Sequence, residues 1–164
     1  MGASWRFAHE PVEILPGLWL SGSVPRTNAY EIGDARLILR NADGTDEGTE
    51  GCDIHDEVTD DMALFYQSKK GLVVISGCTH SGLVNMVEHG LAVTQCDRLH
   101  GWIGGTHLGP SAAHQQEETL TRLQGFQPEF VAANHCTGFK MMARLYATFG
   151  ERFIPAFVGT QIEC

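Results

Sequence analysis

Three times in its second half this 164-residue chain runs an apolar strand into a histidine. Leu72-Val73-Val74-Ile75 leads through Gly77-Cys78-Thr79 to His80. His100-Gly101-Trp102-Ile103 leads through Gly104-Gly105-Thr106 to His107, and Phe130-Val131-Ala132-Ala133 leads through Asn134 to His135. A stretch that reads as helix follows each histidine. Repeated strand–helix order builds a parallel sheet, and ligands gather outside the carboxyl ends of such strands. The histidines fall at those ends. With Cys78 and Cys136 beside them, one edge of one sheet is expected to carry three imidazoles and two thiols, the donor types of a metal site.

Charge narrows the partners. The balance of 11 basic against 20 acidic residues, a net charge of -9, argues against non-specific binding to nucleic acid or anionic membrane. One small anionic substrate held by a few local cations stays compatible with it. Hydrophobic residues at 43% and charged residues at 19% are ordinary globular values, and the length is that of a single domain. The five cysteines are spread out, two of them beside histidines, which suggests reduced thiols rather than a disulfide framework. The opening Met1-Gly2-Ala3-Ser4-Trp5-Arg6 has no apolar core of a secretory signal, and no run is long enough to span a bilayer. A cytoplasmic location is the expectation.

Residues 1–70 are expected to be strand- and loop-rich, and residues 71–164 to alternate strand and helix within one α/β domain. Val12-Glu13-Ile14-Leu15 and Leu18-Trp19-Leu20 flank the turn signal Pro16-Gly17. Arg36 to Arg40 reads as a strand, and Asn41 to Asp60, rich in Gly and Asp without periodicity, as a long loop. Met62-Ala63-Leu64-Phe65-Tyr66 turns at Lys69-Lys70-Gly71 into the strand at Leu72, a hairpin. Helical spacing runs from Gly82 to Val93, Ser111 to Leu123 and Gly138 to Phe149, with Thr137 placed to cap the last. The segment from Phe153 to Gly159 reads as extended.

Gly77-Cys78-Thr79-His80-Ser81-Gly82 is the sharpest chemical signal. Small residues turn the chain from a buried strand into a helix whose free N–H groups favour an anion. Cys78 and His80 are positioned to ligate a metal, although a tight turn with a satisfied histidine and a buried cysteine explains them equally well. Asn134-His135-Cys136-Thr137-Gly138 repeats the arrangement one strand on. For His107 after its paired glycines, substrate contact ranks first, ahead of metal binding and proton donation. Arg26 is a candidate clamp for a phosphate or carboxylate, and Thr106 and Thr137 join it as substrate contacts. Asp60-Asp61 is either a metal or second-layer carboxylate pair or solvated loop acid. Cys78 with His80 as a thiol catalyst is disfavoured, because neighbours on one turn rarely point at each other productively. His9, His55, His89, His100 and His114, with Cys52, Cys96 and Cys164, are assigned no function. Phosphate-binding loop, dinucleotide fingerprint and serine elbow are all absent from the sequence.

Taken in order, five segments resemble one branch of the metallo-β-lactamase superfamily: Pro16 to Arg26, Asp60 to Leu64, Gly77 to Asn85, Ile103 to Leu108, and His135 to Gly138. That branch includes metal-dependent hydrolases and 7,8-dihydropterin-6-yl-methyl-4-(β-D-ribofuranosyl)aminobenzene 5′-phosphate synthases. The resemblance implies the C-terminal part of an αββα sandwich. It implies that His80 and His135 are metal ligands, with Cys78 and His107 lining the cleft, Cys78 as a further ligand and His107 as a catalytic group. It also implies divalent metal ions, zinc first, with manganese, iron or magnesium as alternatives. The family's His-x-His-x-Asp-His signature does not occur in this sequence, so the chain is expected to start beyond the half that carries it. Thr106 stands where the family usually has an aromatic.

The expected function is hydrolysis, or transfer by a pterin-phosphate synthase-like reaction, on a small phosphorylated or pterin-like molecule. The alternative is a non-catalytic remnant that binds a partner chain or a small anion. An uncovered apolar sheet face would call for a missing N-terminal half or a second copy of the chain.

Overall fold

The computed structural model describes residues 2, 4, 7–39 and 54–164. Most of the loop expected over 41–60, together with Cys52 and most of the first six residues, lies outside the described residues. In chain order the elements are β1 (Val12–Leu15), β2 (Leu18–Leu20), β3 (Ile38–Leu39), β4 (Ile54–His55), β5 (Ala63–Ser68), β6 (Gly71–Ser76), α1 (Leu83–Thr94), β7 (Leu99–Gly105), α2 (Ala113–Gly125), β8 (Phe130–Asn134), α3 (Phe139–Phe149) and β9 (Phe153–Pro155).

Turn chemistry decides strand direction. Short turns at Pro16-Gly17 and Lys69-Lys70 join β1 to β2 and β5 to β6 as antiparallel pairs, with Gly17 at φ 75° and Gly71 at φ 122°. Crossovers through α1, α2 and α3 are long enough for parallel pairing, and β6, β7, β8 and β9 run parallel. The result is a mixed seven-stranded sheet ordered β1-β2-β5-β6-β7-β8-β9, beside a small β3-β4 pair.

Strand alternation sorts the side chains into two faces. One register row carries Trp19, Phe65, Val74, Trp102, Val131 and Phe153. All three helices cover that face, contributing Val84, Met86 and Val87, Leu120 and Leu123, and Met141, Leu145 and Phe149 to one core. Burying each such side chain stabilises the fold by about 1.5–3 kcal/mol.

The row on the other face is Val12, Leu20, Leu64, Ile75, Ile103, Ala132 and Ile154, also apolar throughout. No described helix covers it. Phe130 lies across Gly101, where a Cβ would overlap the ring, and Ala156 and Ile162 of the C-terminal tail pack near it. Toward β1 the apolar surface opens, with Ile14 48% and Leu15 62% exposed.

Some local expectations are corrected. Of the strand expected over Arg36 to Arg40, Ile38–Leu39 forms and pairs with the exposed Ile54–His55, Arg36 and Leu37 lie outside it, and Arg40 is outside the described residues. The extended segment after Phe153 ends at Pro155 and gives way to turns. Thr137 does not cap α3. A one-turn 3-10 segment, His135–Thr137, comes first, Gly138 at φ 70° redirects the chain, and no side chain caps the helix. Among the described residues no helix is long and apolar enough to cross a membrane.

Candidate metal centre

The carboxyl ends of β6, β7 and β8 are built from strained, tightly hydrogen-bonded turns. Thr79, His107 and His135 take left-handed φ values of 68°, 48° and 50°. Non-glycine residues avoid that region, and each costs on the order of 1–3 kcal/mol. What holds them is a lattice of short contacts between the turns. The Thr79 hydroxyl donates to the Gly105 carbonyl oxygen at 2.6 Å, and Gly105 N–H donates to Gly77 O at 2.8 Å. Thr106 N–H donates to Thr137 Oγ1 at 3.2 Å, the Thr106 hydroxyl meets the same oxygen at 3.2 Å, and the Ser111 hydroxyl holds the His107 carbonyl at 2.8 Å. Thr106 and Thr137, expected as substrate contacts, are thus buried and turned toward each other.

Two groups of donors stand on this edge. In the first, His135 Nε2 lies 3.1 Å from Cys78 Sγ, and with Cys136 Sγ these ligand atoms all fall within 4.8 Å of one another. Cys136 is half-buried. It donates to the Cys78 carbonyl oxygen at 3.4 Å and receives the His107 N–H at 3.3 Å. Burial, helped by the neighbouring Cys78 sulfur, pushes its thiol up to about 11.

In the second group the rings of His80 and His107 stack with centroids 4.2 Å apart, tilted by 44°. His80 Nδ1 is buried without a hydrogen-bond partner. Burial, then the adjacent His80, holds His107 below the ordinary histidine range, so its ring is neutral near pH 7. A Cys2His trio and an orphaned buried imidazole nitrogen are donors that suit a zinc-like ion, so the residues present fit a divalent metal.

The sequence-derived candidates therefore separate. The histidine that meets Cys78 is His135, 57 residues away, and not its near neighbour His80, whose ring faces His107. Cys136, expected as one of two thiols on this edge but not assigned as a ligand, joins the first group.

The loop from Ser23 to Asp34 locks this edge in place. Arg26 Nη2 donates to the His80 carbonyl at 3.1 Å, so the expected anion clamp grips the backbone of the site. Asp61 accepts Ser81 N–H at 2.8 Å, whereas Asp60 is exposed. Glu31, only 1% exposed, accepts the N–H groups of Val84 and Asn85 at 2.9 Å each and the Asn28 amide at 2.7 Å. The helix start that invited a foreign anion already holds the chain's own carboxylate. Burial raises the Glu31 pKa, opposed by these donors. Gly82, at φ 99°, leaves space for it, since a Cβ there would overlap the carboxylate. Nothing in the sequence around Glu31 announced this role.

Two cavities flank the donors. A polar cleft of about 240 Å³ is lined by Asp34, Arg36, His80, His107, Ser111 and Gln115. The Arg36 guanidinium holds the Asp34 carboxyl well below the usual carboxylate range. On the other side, an apolar groove of about 900 Å³ runs from His135 past Phe139, Met142, Tyr146, Phe157 and Val158.

No protein-family model matches the chain. It is 25% identical over 174 residues to 7,8-dihydropterin-6-methyl-4-(β-D-ribofuranosyl)-aminobenzene-5′-phosphate synthase of Methanocaldococcus jannaschii, an alignment covering 99% of this chain and 54% of that protein. It is 32% identical over 160 residues to an uncharacterized protein of the same organism, covering 96% of this chain and 54% of that protein. Among solved structures it superposes on a metal-dependent hydrolase of the β-lactamase superfamily with a TM-score of 0.72 at 22% identity, covering 98% of this chain and 58% of that one. The chain spans about half the length of the curated relatives it matches.

Proposed function

We propose, from the likeness to these relatives and the shared fold, that the chain is a member of the metallo-β-lactamase superfamily and that its strand-end histidines form one side of a divalent-metal site for hydrolysis or group transfer. The substrate is a small phosphorylated or pterin-like molecule. The observation that carries this reading is the placement of two neighbouring donor groups, His80 with His107 and His135 with Cys78, at the ends of three adjacent strands, which lie about 5 Å apart in a sheet.

His80 and His135 are the residues that would hold metal. When bound, the ion supplies Lewis-acid polarisation of a phosphoryl or carbonyl oxygen. His107 presents a neutral imidazole to the polar cleft, where it contacts substrate or moves a proton at a ring nitrogen. Arg26 acts through His80, as a positioning residue that fixes the carbonyl of the turn. Zinc is the metal that these donors favour.

Two histidines alone hold a divalent ion weakly, and a catalytic zinc usually has three protein ligands. The apolar second face of the sheet supports a reading in which another β-layer packs there and brings further ligands. A segment bearing His-x-His-x-Asp-His, or a second copy of this chain, would be that layer. Turnover of a chromogenic phosphodiester tests the proposal, with the chain alone and beside a polypeptide that carries the signature. The expected result is activity that needs divalent metal, disappears with chelator and collapses in His80→Ala and His135→Ala. Unchanged turnover in the double variant, or in excess chelator, would refute the assignment.

A further inference from the structure

We infer that Cys78, His135 and Cys136 form a thiolate-rich metal site of their own, able to take a soft or borderline cation such as zinc, cadmium or cobalt using this chain alone. It shares His135 with the centre proposed above and rests on that reading only to this extent. Cys136 has no part in that centre, and Cys78 enters it only as the further ligand that the resemblance implies.

Geometry is the first support. Around a tetrahedral zinc, with Zn–S near 2.3 Å and Zn–N near 2.0 Å, sulfur and nitrogen ligands stand roughly 3.5–3.8 Å apart. The His135 Nε2 to Cys78 Sγ distance is 3.1 Å, and no pair in the trio exceeds 4.8 Å. Shifts of up to about 1 Å between ligand atoms bring all three to one ion.

The second support is how the trio is held. Cys78 follows β6, while His135 and Cys136 follow β8, so the strand between them, β7, sets the spacing. Gly105 of β7 makes this approach possible. A Cβ there would run into Cys136 Sγ and the Gly77 carbonyl oxygen. The His107 N–H already points at Cys136 Sγ from 3.3 Å, the kind of backbone donor that steadies a coordinated thiolate. His135, in a left-handed conformation, turns its ring back toward Cys78.

The third is access. His135 is exposed at the mouth of the apolar groove, and the two sulfurs are partly covered. Three protein ligands with one side open is the pattern of a zinc that keeps a position for an exchangeable ligand. Binding would displace a proton from each thiol, so uptake is coupled to release of protons.

The experiment is titration of the full chain with cadmium or cobalt(II) under a phosphine reductant, read by the sulfur-to-metal charge-transfer absorbance. The expected result is a band that saturates at one ion per chain and is retained in C52S/C96S/C164S, whose only cysteines are Cys78 and Cys136. Cys78→Ser and Cys136→Ser should each cut the intensity and weaken affinity by about tenfold or more. His80→Ala should keep the band while losing metal-dependent turnover, which separates this site from the histidine-based one. Should Cys136→Ser misfold, alkylation mass spectrometry on the unaltered chain decides. Cadmium is expected to shield Cys78 and Cys136 from iodoacetamide and to leave the exposed Cys164 reactive. No band in the unaltered chain, a band undiminished in a folded C78S/C136S variant, or no protection of the pair would overturn the inference.

Discussion

Glu31 Oε2 accepts the backbone N–H of Asn85 at 2.9 Å, and Oε1 takes that of Val84 at the same distance. A carboxylate from a distant loop thus closes the first turn of α1, directly behind the turn that carries Cys78 and His80. Helix N-termini leave N–H groups without partners and carry positive dipole ends, and here no capping side chain comes from the helix itself.

Replacing Glu31 should therefore loosen the site as well as the fold. Glu31→Ala leaves buried donors unsatisfied, at about 1–3 kcal/mol, and is expected to lower unfolding free energy by about 3 kcal/mol. Glu31→Gln, whose amide oxygen still accepts one N–H, should lose less. Urea denaturation measures both; stability within about 0.5 kcal/mol of the parent for the alanine variant would show that the contact is idle.

Arg26 is expected to matter through His80. With its donor to the His80 carbonyl gone, Arg26→Ala should lower turnover by about tenfold with a smaller change in KM. It should also move the imidazole NMR signals of His80. Arg26→Lys, which keeps one donor, should rescue part of both. A pure KM effect with unmoved His80 signals would instead make Arg26 a direct substrate contact.

The Cys136 thiol gives a pH signature. Burial, then the neighbouring Cys78, raises it in the fold from 9.0 to about 11. The native state thus holds this proton more tightly than the unfolded chain does. That contribution to stability is fully present below about pH 9 and is lost as pH rises through 11. Without metal, the parent should lose stability over this window more steeply than Cys136→Ala, measured by denaturation at each pH. Parallel slopes would contradict the burial of the thiol.

Much of the framework was readable from the chain because its signals are local. Pro16-Gly17 and Lys69-Lys70-Gly71 mark hairpins, and helical spacing after each strand-end histidine marks the crossovers, so β5 to β9 and α1 to α3 follow within a few residues. What escaped depends on contacts between distant segments. Thr137 has the chemistry of a helix cap, yet Thr106 claims its hydroxyl. Arg36 to Arg40 reads as a strand, but among the described residues Ile38 and Leu39 alone pair, with an exposed two-residue partner. Cys78, His80 and His135 were expected in one ligand set, and that the His80 ring instead faces His107 depends on how the strand ends pack. Residue type and spacing cannot supply that.

Zinc-edge anomalous diffraction from crystals of this chain grown with one equivalent of zinc tests the central claim most directly. The account predicts a peak at the carboxyl ends of β6, β7 and β8, within bonding distance of His135 or His80. Well-ordered crystals with no peak on that edge, or with zinc held only elsewhere on the molecule, would contradict it.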